Sequence, residues 1–189
     1  MYLIPLVIQH RHVHLSKSDL RQLFGDEKNL HVELDLGHRG QVLYRETVSV
    51  VGRKGTIECV RVLGPSRRNT QVEISSHDAV YLGTRSPIRH SGDLKRAGSC
   101  KLVTKFGSVR ASSTVIIPAR HLHCSDRMAQ KLHVKNQEVV SLQHTDRSEI
   151  VIPNVLVRVH PTFALEFHLT EDEAATQWIQ NSDSFILCS

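Results

Sequence analysis

Short runs of alternating or β-branched residues make up most of the chain, and they predict strands rather than long helices. Glycine, proline, asparagine and aspartate separate the runs, as expected for turns. The opening MYLIPLVIQ predicts a first strand. Only a few segments, including TEDEAATQWIQN, have helical spacing. The further predicted strands are HVELDL, QVLYRETVSVVG, GTIECVRVLG, TQVEIS, AVYLG, GSVRASSTVIIPA, QEVVSLQ and IVIPNVLVRV.

A histidine motif occurs twice, as RHVHLS at residues 11–16 and as RHLHCS at residues 120–125. On a strand, the two histidines of each copy project from the same face, because side chains alternate between faces. KSDLRQLFG follows the first copy and DRMAQKLHV follows the second. In each, the preceding serine is a candidate N-cap and the Leu and Met residues recur at helical spacing. Each copy therefore predicts a strand that leads into a capped helix.

The ends of the two halves also correspond. When TQVEISSHDA and ALEFHLTEDEA are aligned on their last alanines, Glu73 superposes on His168 and Asp78 on Glu173. A weak internal duplication is the simplest explanation. Many short strands in two related halves predict a mainly β protein built from two small barrels or sandwiches, with a few short helices.

We place the domain boundary of this duplicated chain near residue 90. The first half is residues 1–90 and the second half is residues 91–189. The stretch RSPIRHSGDLKRAGS, residues 85–99, is the most polar part of the sequence, and we interpret it as the linker between the halves.

Each half offers a His-x-His pair and one further ligand at a matching position. Three protein ligands with an open coordination position are typical of catalytic zinc. Imidazole and carboxylate without thiolate favour zinc or a similar divalent ion over an iron–sulfur cluster. The alternative is that the histidines, Glu73 and His168 merely face solvent on alternating strands. The candidate ligands are His12, His14 and Glu73 in the first half, and His121, His123 and His168 in the second.

Composition limits the classes of function. The chain has 189 residues, 40% of them hydrophobic and 23% charged, as in soluble globular proteins. It has no apolar run of membrane-spanning length and no signal peptide, so we expect a cytoplasmic protein. Its four cysteines lack metal or disulfide spacing, which indicates reduced thiols. The net charge of +5 favours anionic partners. The basic residues are dispersed and aromatics make up only 5% of the chain, which argues against nucleic acid as the partner. A phosphorylated small molecule is then the anionic partner that we expect.

Five motifs, in this order, resemble the PduL-type phosphotransacylases, also called phosphate propanoyltransferases. They are RHVHLS, VLGPSRRNTQVEIS, SGD, ARHLHCS and VLVRVHPTFALEFHLTEDEA, which together extend from about residue 6 to residue 176. The resemblance implies two β-barrel halves with a two-zinc active site between them. One zinc would be held by His12, His14 and Glu73, and the other by His121, His123 and His168.

The resemblance also implies the reaction. Enzymes of this type reversibly transfer a short acyl group, propanoyl or acetyl, between coenzyme A and phosphate. The resemblance also implies a role in propanediol degradation. The residue expected to contact phosphate is Arg67, and the residue expected to contact substrate is Ser91. Without the resemblance, the sequence does not distinguish a phosphate-binding Arg67 from a solvated basic residue beside Arg68. Ser91 would then be interpreted as an ordinary turn residue. Ala175 stands where the family usually has an asparagine, a contact for coenzyme A.

Several questions stay open at the level of sequence. No GxSxG motif or Ser/His/Asp pattern is present, so we expect direct transfer, and Cys124 is the one candidate for a covalent intermediate. A binuclear zinc hydrolase and a zinc-stabilised, non-catalytic binding module are the alternative functions. The oligomeric state is undetermined, and a homo-oligomer is one option. Association with a bacterial microcompartment is also open, although we expect no targeting helix ahead of His12.

Overall fold

The computed structural model describes residues 2–36 and 40–188. The strands are β1 (Ile4–Gln9), β2 (His12–Ser16), β3 (Val32–Asp35), β4 (Val42–Val51), β5 (Thr56–Arg67), β6 (Gln71–Glu73), β7 (Ile88–Arg89), β8 (Gly98–Val103), β9 (Ser108–Pro118), β10 (His121–Cys124), β11 (Val139–His144), β12 (Val151–Val159), β13 (Glu166–Thr170) and β14 (Ser184–Leu187). The helices are α1 (Lys17–Phe24), α2 (Ser76–Leu82), α3 (Asp126–Leu132) and α4 (Glu171–Ala175), and a turn of 3-10 helix spans Glu27–Asn29. The predicted mainly β fold is confirmed.

The chain divides into two compact units. The middle unit spans residues 11–118, and the terminal unit combines residues 1–10 with residues 119–189. This division differs from the boundary expected near residue 90. The stretch 85–99, predicted to be a linker, contains β7 and the beginning of β8, and both strands pair with β9 inside the middle unit.

Within the described residues, each unit closes a six-stranded barrel. In the middle unit the order is β4, β5, β2, β6, β9 and β8, and β8 pairs back to β4. The short strands β3 and β7 extend this sheet from β4 and β9. In the terminal unit the order is β1, β13, β10, β12, β11 and β14, which pairs back to β1. The prediction of two related small barrels is therefore confirmed.

The two barrels share one pattern of neighbours. β2 lies between parallel β5 and antiparallel β6, and β10 lies between parallel β12 and antiparallel β13. β6 then runs parallel to β9, and β13 runs parallel to β1. The strand that precedes each histidine motif thus belongs to the other unit: β1 precedes β2 but pairs in the terminal unit, and β9 precedes β10 but pairs in the middle unit.

Strand alternation separates the histidines from the core of each barrel. On β2, Val13 and Leu15 are buried in the hydrophobic core of the middle unit. On β10, Leu122 and Cys124 hold the same positions in the core of the terminal unit. Because neighbouring side chains on a strand point to opposite faces, the histidines occupy the other face of the barrel wall. The core residues of β2 and β10 therefore fix the direction in which the imidazoles point.

Both helices predicted after the histidine motifs are present and capped. The Ser16 hydroxyl oxygen accepts a hydrogen bond from the Asp19 N–H at 3.1 Å. The Ser125 hydroxyl oxygen accepts one from the Met128 N–H at 3.3 Å. Each cap satisfies a backbone donor that the first helical turn leaves without a partner.

The prediction of a strand for AVYLG is wrong, because these residues lie mostly in α2. Ser75 and Asp78 form a capping box, in which each side chain accepts a hydrogen bond from the other residue's N–H. These bonds start a helix even though Val80 and Tyr81 favour strands. The helix predicted for TEDEAATQWIQN is shorter than expected and covers only Glu171–Ala175. Among the described residues, no helix combines the length and apolar character needed to cross a membrane.

Candidate metal centre

In the middle unit, β2 and β6 bring three candidate ligands together. The antiparallel register places His12 directly opposite Glu73, and His14 lies on the same face of β2. The His12 Nε2 and Glu73 Oε2 atoms are 3.5 Å apart. All three side chains are buried, and one ligand atom from each lies within 4.8 Å of the others. The structure therefore assembles the triplet that the sequence predicted.

His14 is held in a state suited to metal binding. Burial lowers its pKa well below the ordinary value, and the nearby His12 and Arg67 lower it further. The ring is therefore neutral at physiological pH, as a metal ligand requires. Its Nδ1 atom lies 3.2 Å from the Leu63 carbonyl oxygen. A hydrogen bond from Nδ1–H to that carbonyl leaves Nε2 as the nitrogen that points toward a ligand position.

The terminal unit repeats the arrangement with three histidines. The antiparallel register of β10 and β13 places His121 opposite His168, with the ring planes stacked at 4° and the centroids 4.7 Å apart. The ring of His123 lies 4.5 Å from that of His168, and one ligand atom from each of the three lies within 4.8 Å of the others. His121 Nδ1 is 2.9 Å from the Ala119 carbonyl oxygen. The second predicted triplet is thus also assembled by the fold.

Packing and burial support a ligand role for this triplet. Phe163 stacks on His123 with a centroid distance of 3.9 Å and an angle of 17°, which fixes the plane of that imidazole. Both ring nitrogens of His168 are buried, and neither has a hydrogen-bond partner among the described residues. Its Nε2 lies 3.5 Å from the Glu166 carboxylate. Buried polar atoms are rarely left without a hydrogen bond, and a metal ion would satisfy one of these nitrogens.

The donor atoms of the two triplets are compatible with two divalent metal ions. One triplet offers two imidazoles and a carboxylate, and the other offers three imidazoles. Both sets match the three-ligand sites in which zinc keeps a coordination position for water or substrate. The residues present therefore fit the metal that the sequence predicted.

Arg67 and Ser91, the two other predicted site residues, lie together. Arg67 Nη1 donates a hydrogen bond of 2.9 Å to the Ser91 hydroxyl oxygen. Gln71 Nε2 donates to the same oxygen at 2.9 Å and to Glu73 Oε1 at 2.5 Å. The Gly92 N–H donates to Gln71 Oε1 at 2.8 Å, which identifies that atom as the amide oxygen. The network connects Arg67 and Ser91 with the carboxylate of Glu73, a candidate metal ligand.

Gln71 is the residue of this network that the sequence alone does not single out. It is buried and bonds to three partners, one of them a candidate metal ligand. Its position two residues before Glu73 on β6 places both side chains on one face of the strand. This spacing is the only sequence signal for Gln71, and a single glutamine in a strand does not indicate a functional site.

Cys124 lies outside both triplets. Its side chain is fully buried in the core of the terminal unit, on the face of β10 opposite the histidines. Burial raises the pKa of the thiol, and the nearby Asp126 carboxylate raises it further. The thiolate form, which is the nucleophile, is therefore scarce at neutral pH.

The sequence is similar to known proteins of one family. Residues 5–180 match the family model described as phosphate propanoyltransferase. The phosphate propanoyltransferase of Thermotoga maritima is 42% identical over 178 residues, which are 93% of this chain and 84% of that protein. The phosphate propanoyltransferase of Priestia megaterium is 40% identical over 184 residues, 97% of this chain and 85% of that protein. That of Escherichia fergusonii is 40% identical over 172 residues, 90% of this chain and 81% of the relative.

Proposed function

Since the chain belongs to the phosphate propanoyltransferase family, we propose that it reversibly transfers a short acyl group, propanoyl or acetyl, between coenzyme A and inorganic phosphate. The observation that carries this proposal is the presence of two ligand triplets at equivalent positions of the two barrels. Acyl phosphate and coenzyme A are anionic, and the net charge of +5 favours their association with the protein.

We propose zinc as the metal at both triplets. His12, His14 and Glu73 would hold one ion, and His121, His123 and His168 would hold the other. When bound, zinc polarises a carbonyl or phosphoryl oxygen and lowers the pKa of a coordinated thiol. The protein contributes neutral imidazoles in a fixed orientation, of which His14 is the best defined because burial lowers its pKa.

Arg67 and Ser91 are proposed to bind the transferring phosphate. A guanidinium group has five N–H donors in a planar fork that matches phosphate oxygens, and the Ser91 bond uses one of them. The Ser91 oxygen accepts hydrogen bonds from both Arg67 and Gln71. Its own O–H is then directed to a further acceptor, such as a phosphate oxygen. Gln71 positions both groups relative to Glu73, since it bonds to Ser91 and to that carboxylate.

We propose that the acyl group passes directly between phosphate and thiol. Cys124, the candidate for a covalent intermediate, is buried in the barrel core and has a raised pKa. Arg67 and Ser91 then hold phosphate so that one of its oxygens attacks the acyl carbonyl carbon while the coenzyme A thiolate leaves. In the reverse direction the thiolate attacks and phosphate leaves, and the enzyme's main contribution is orientation of the two substrates.

Alkylation of the folded protein tests the role of Cys124. Iodoacetamide at neutral pH is expected to modify the exposed Cys59 and to leave Cys124 unmodified, because only an accessible thiolate reacts. Acyl transfer should persist after the treatment. Peptide mass mapping before and after unfolding identifies the modified thiols. Modification of Cys124 in the folded protein, accompanied by loss of transfer, would contradict the direct mechanism.

The activity itself is tested by following acyl phosphate consumption with and without coenzyme A, for acetyl and propanoyl phosphate. Thiol-dependent formation of acyl-coenzyme A is the expected result. Thiol-independent release of phosphate would instead indicate a binuclear hydrolase, and no turnover by zinc-loaded protein would indicate a binding module. Chelator-treated protein is the matched control, and its activity should return when zinc is added. Elemental analysis should find about two zinc ions per chain, as two three-ligand sites require.

Ala175 provides a separate test of coenzyme A binding. It is exposed at the C-terminal end of α4, where an added amide meets little packing. Ala175→Asn is expected to lower the KM for coenzyme A by roughly twofold to tenfold. This is the change in affinity that one additional neutral hydrogen bond produces. The KM for acyl phosphate should stay unchanged. Ala164→Asn, the same change at another exposed alanine of this unit, is the control. Unchanged constants in both variants would exclude a cofactor contact at residue 175.

A further inference from the structure

An arginine precedes each histidine pair, and each makes an ion pair with an acidic residue of its own unit. Arg11 Nε lies 3.1 Å from Asp78 Oδ2 in the middle unit. Arg120 Nε lies 2.9 Å from Glu173 Oε1 in the terminal unit. Each arginine stands immediately before the first histidine of its pair, and each acid stands five positions after the third ligand. The two ion pairs therefore hold equivalent positions in the duplicated fold.

The acid of each pair is itself fixed by a helix cap. Asp78 accepts a hydrogen bond from the Ser75 N–H at the start of α2. Glu173 accepts hydrogen bonds from the Thr170 N–H and hydroxyl at 3.1 Å and 2.8 Å, at the start of α4. The cap holds the carboxylate in place, and the arginine then binds to an anchored partner. Each ion pair thus joins the start of a histidine strand to the helix that follows the third ligand.

The strands that carry the ligands are paired over a short distance. The pairing of β2 with β6 has three residue pairs, and the pairing of β10 with β13 also has three. His12 opposite Glu73, and His121 opposite His168, stand at one end of these pairings. A short ladder opens easily at its ends, because few hydrogen bonds and contacts oppose the opening. The ion pair lies just beyond the ligands, at the end where opening would separate them.

We propose that Arg11 and Arg120 are positioning residues for the metal sites, acting through Asp78 and Glu173 to hold the histidine strand against the strand that carries the third ligand. The inference rests on the proposed function, since it concerns the same two triplets. In this role the two arginines contact neither metal nor substrate. Their effect is on the distance between ligands on neighbouring strands, and hence on metal affinity.

The sign of the change in affinity separates positioning from a purely electrostatic effect. A guanidinium charge beside a divalent cation repels it, so removing the arginine would strengthen metal binding if charge alone mattered. Removing a group that positions the ligands weakens metal binding. Partners that orient metal ligands are typically worth tenfold to a hundredfold in affinity.

The experiment measures zinc affinity at the second triplet alone. His12→Ala and His14→Ala are introduced together, so that the remaining zinc binds at the histidine triplet of the terminal unit. Arg120→Gln, Glu173→Gln and the double variant are then compared by competition with a chromogenic chelator. Glutamine at position 173 retains the capping interaction, because glutamine is accepted at that position of a capping box. We expect both single variants to bind zinc roughly tenfold to a hundredfold more weakly.

The double variant should bind no more weakly than the weaker single variant, because both changes remove one ion pair. Arg147→Gln is the matched control, since Arg147 also pairs with a carboxylate of this unit, that of Asp183 at 3.2 Å. The Arg147 variant should have unchanged zinc affinity. The free energy of unfolding of every metal-free variant is measured in urea, so that a loss of stability can be distinguished from a loss of zinc affinity. If Arg120→Gln does not fold, the double variant still tests the inference, because it removes one charge of each sign and leaves the local net charge unchanged.

Unchanged or tighter zinc binding in the Arg120 and Glu173 variants would overturn the positioning role. An equal loss in the Arg147 control, or a loss matched by destabilisation of the metal-free protein, would overturn it as well. In these cases the unsubstituted protein still binds two zinc ions and the proposed function stands. Absence of zinc binding in the unsubstituted protein would overturn both proposals.

Discussion

Alanine at both His12 and His14 is expected to release the metal of the first triplet and to abolish acyl transfer. These two imidazoles supply two of its three ligands, and Glu73 alone cannot hold the ion. Changing residues that merely orient a metal ligand costs tenfold to a hundredfold, so losing two ligands should cost more than about a hundredfold in turnover. The barrel should stay folded, because Val13 and Leu15 on the same strand supply its core contacts.

The measurement combines elemental analysis, circular dichroism and the acyl transfer assay. The double variant is expected to retain about one zinc ion per chain, at the second triplet, as one remaining three-ligand site predicts. His31→Ala is the matched control, because His31 belongs to the same unit and pairs with Glu46 at an exposed site. Two bound ions and normal turnover in the double variant would remove these histidines from the site.

The grouping of the six candidate ligands was predictable from sequence for a physical reason. Alternation along a strand forces both histidines of a pair onto one face, whatever the rest of the fold does. The duplication then indicates which residue of each half takes the third position. Glu73 and His168 have no sequence feature of their own that marks them as ligands. The argument for them rests on the alignment of the two halves and on the family resemblance.

The exchange of strands between the units was not predictable in this way. The pattern of β1 or β9 shows that the segment is extended and has an apolar face, but not which strands it pairs with. Because the two barrels share one pattern of strand neighbours, the barrel edges that each strand could join are similar. Long-range packing decides between them, and a local pattern contains no information about that choice.

The network around Gln71 was invisible to sequence for a related reason. Its importance depends on Ser91 and Gly92, which lie about twenty residues further along the chain and approach it only in the folded barrel. The same distance explains why Arg67 was an ambiguous residue from sequence alone. A basic turn in solvent and a phosphate contact have the same local pattern, and only the bond to Ser91 places Arg67 in the network.

Arg67→Lys is expected to lower acyl transfer by roughly ten- to a hundredfold, which corresponds to the loss of about 1.5–3 kcal/mol from one charge-assisted pair. Lysine keeps the positive charge but presents a single ammonium group in place of a planar fork. The loss should appear mainly with phosphate as the varied substrate, while the KM for coenzyme A stays close to its original value.

Retention of charge makes this substitution informative about geometry. The positive charge of Arg67 contributes to the lowered pKa of His14, and lysine at the same position preserves that contribution. A change in rate therefore reports the lost hydrogen bonds rather than a protonated metal ligand. Arg68→Lys is the matched control, because Arg68 is adjacent and exposed. Equal rates and equal phosphate dependence in the Arg67 and Arg68 variants would show that the fork at residue 67 takes no part in the reaction.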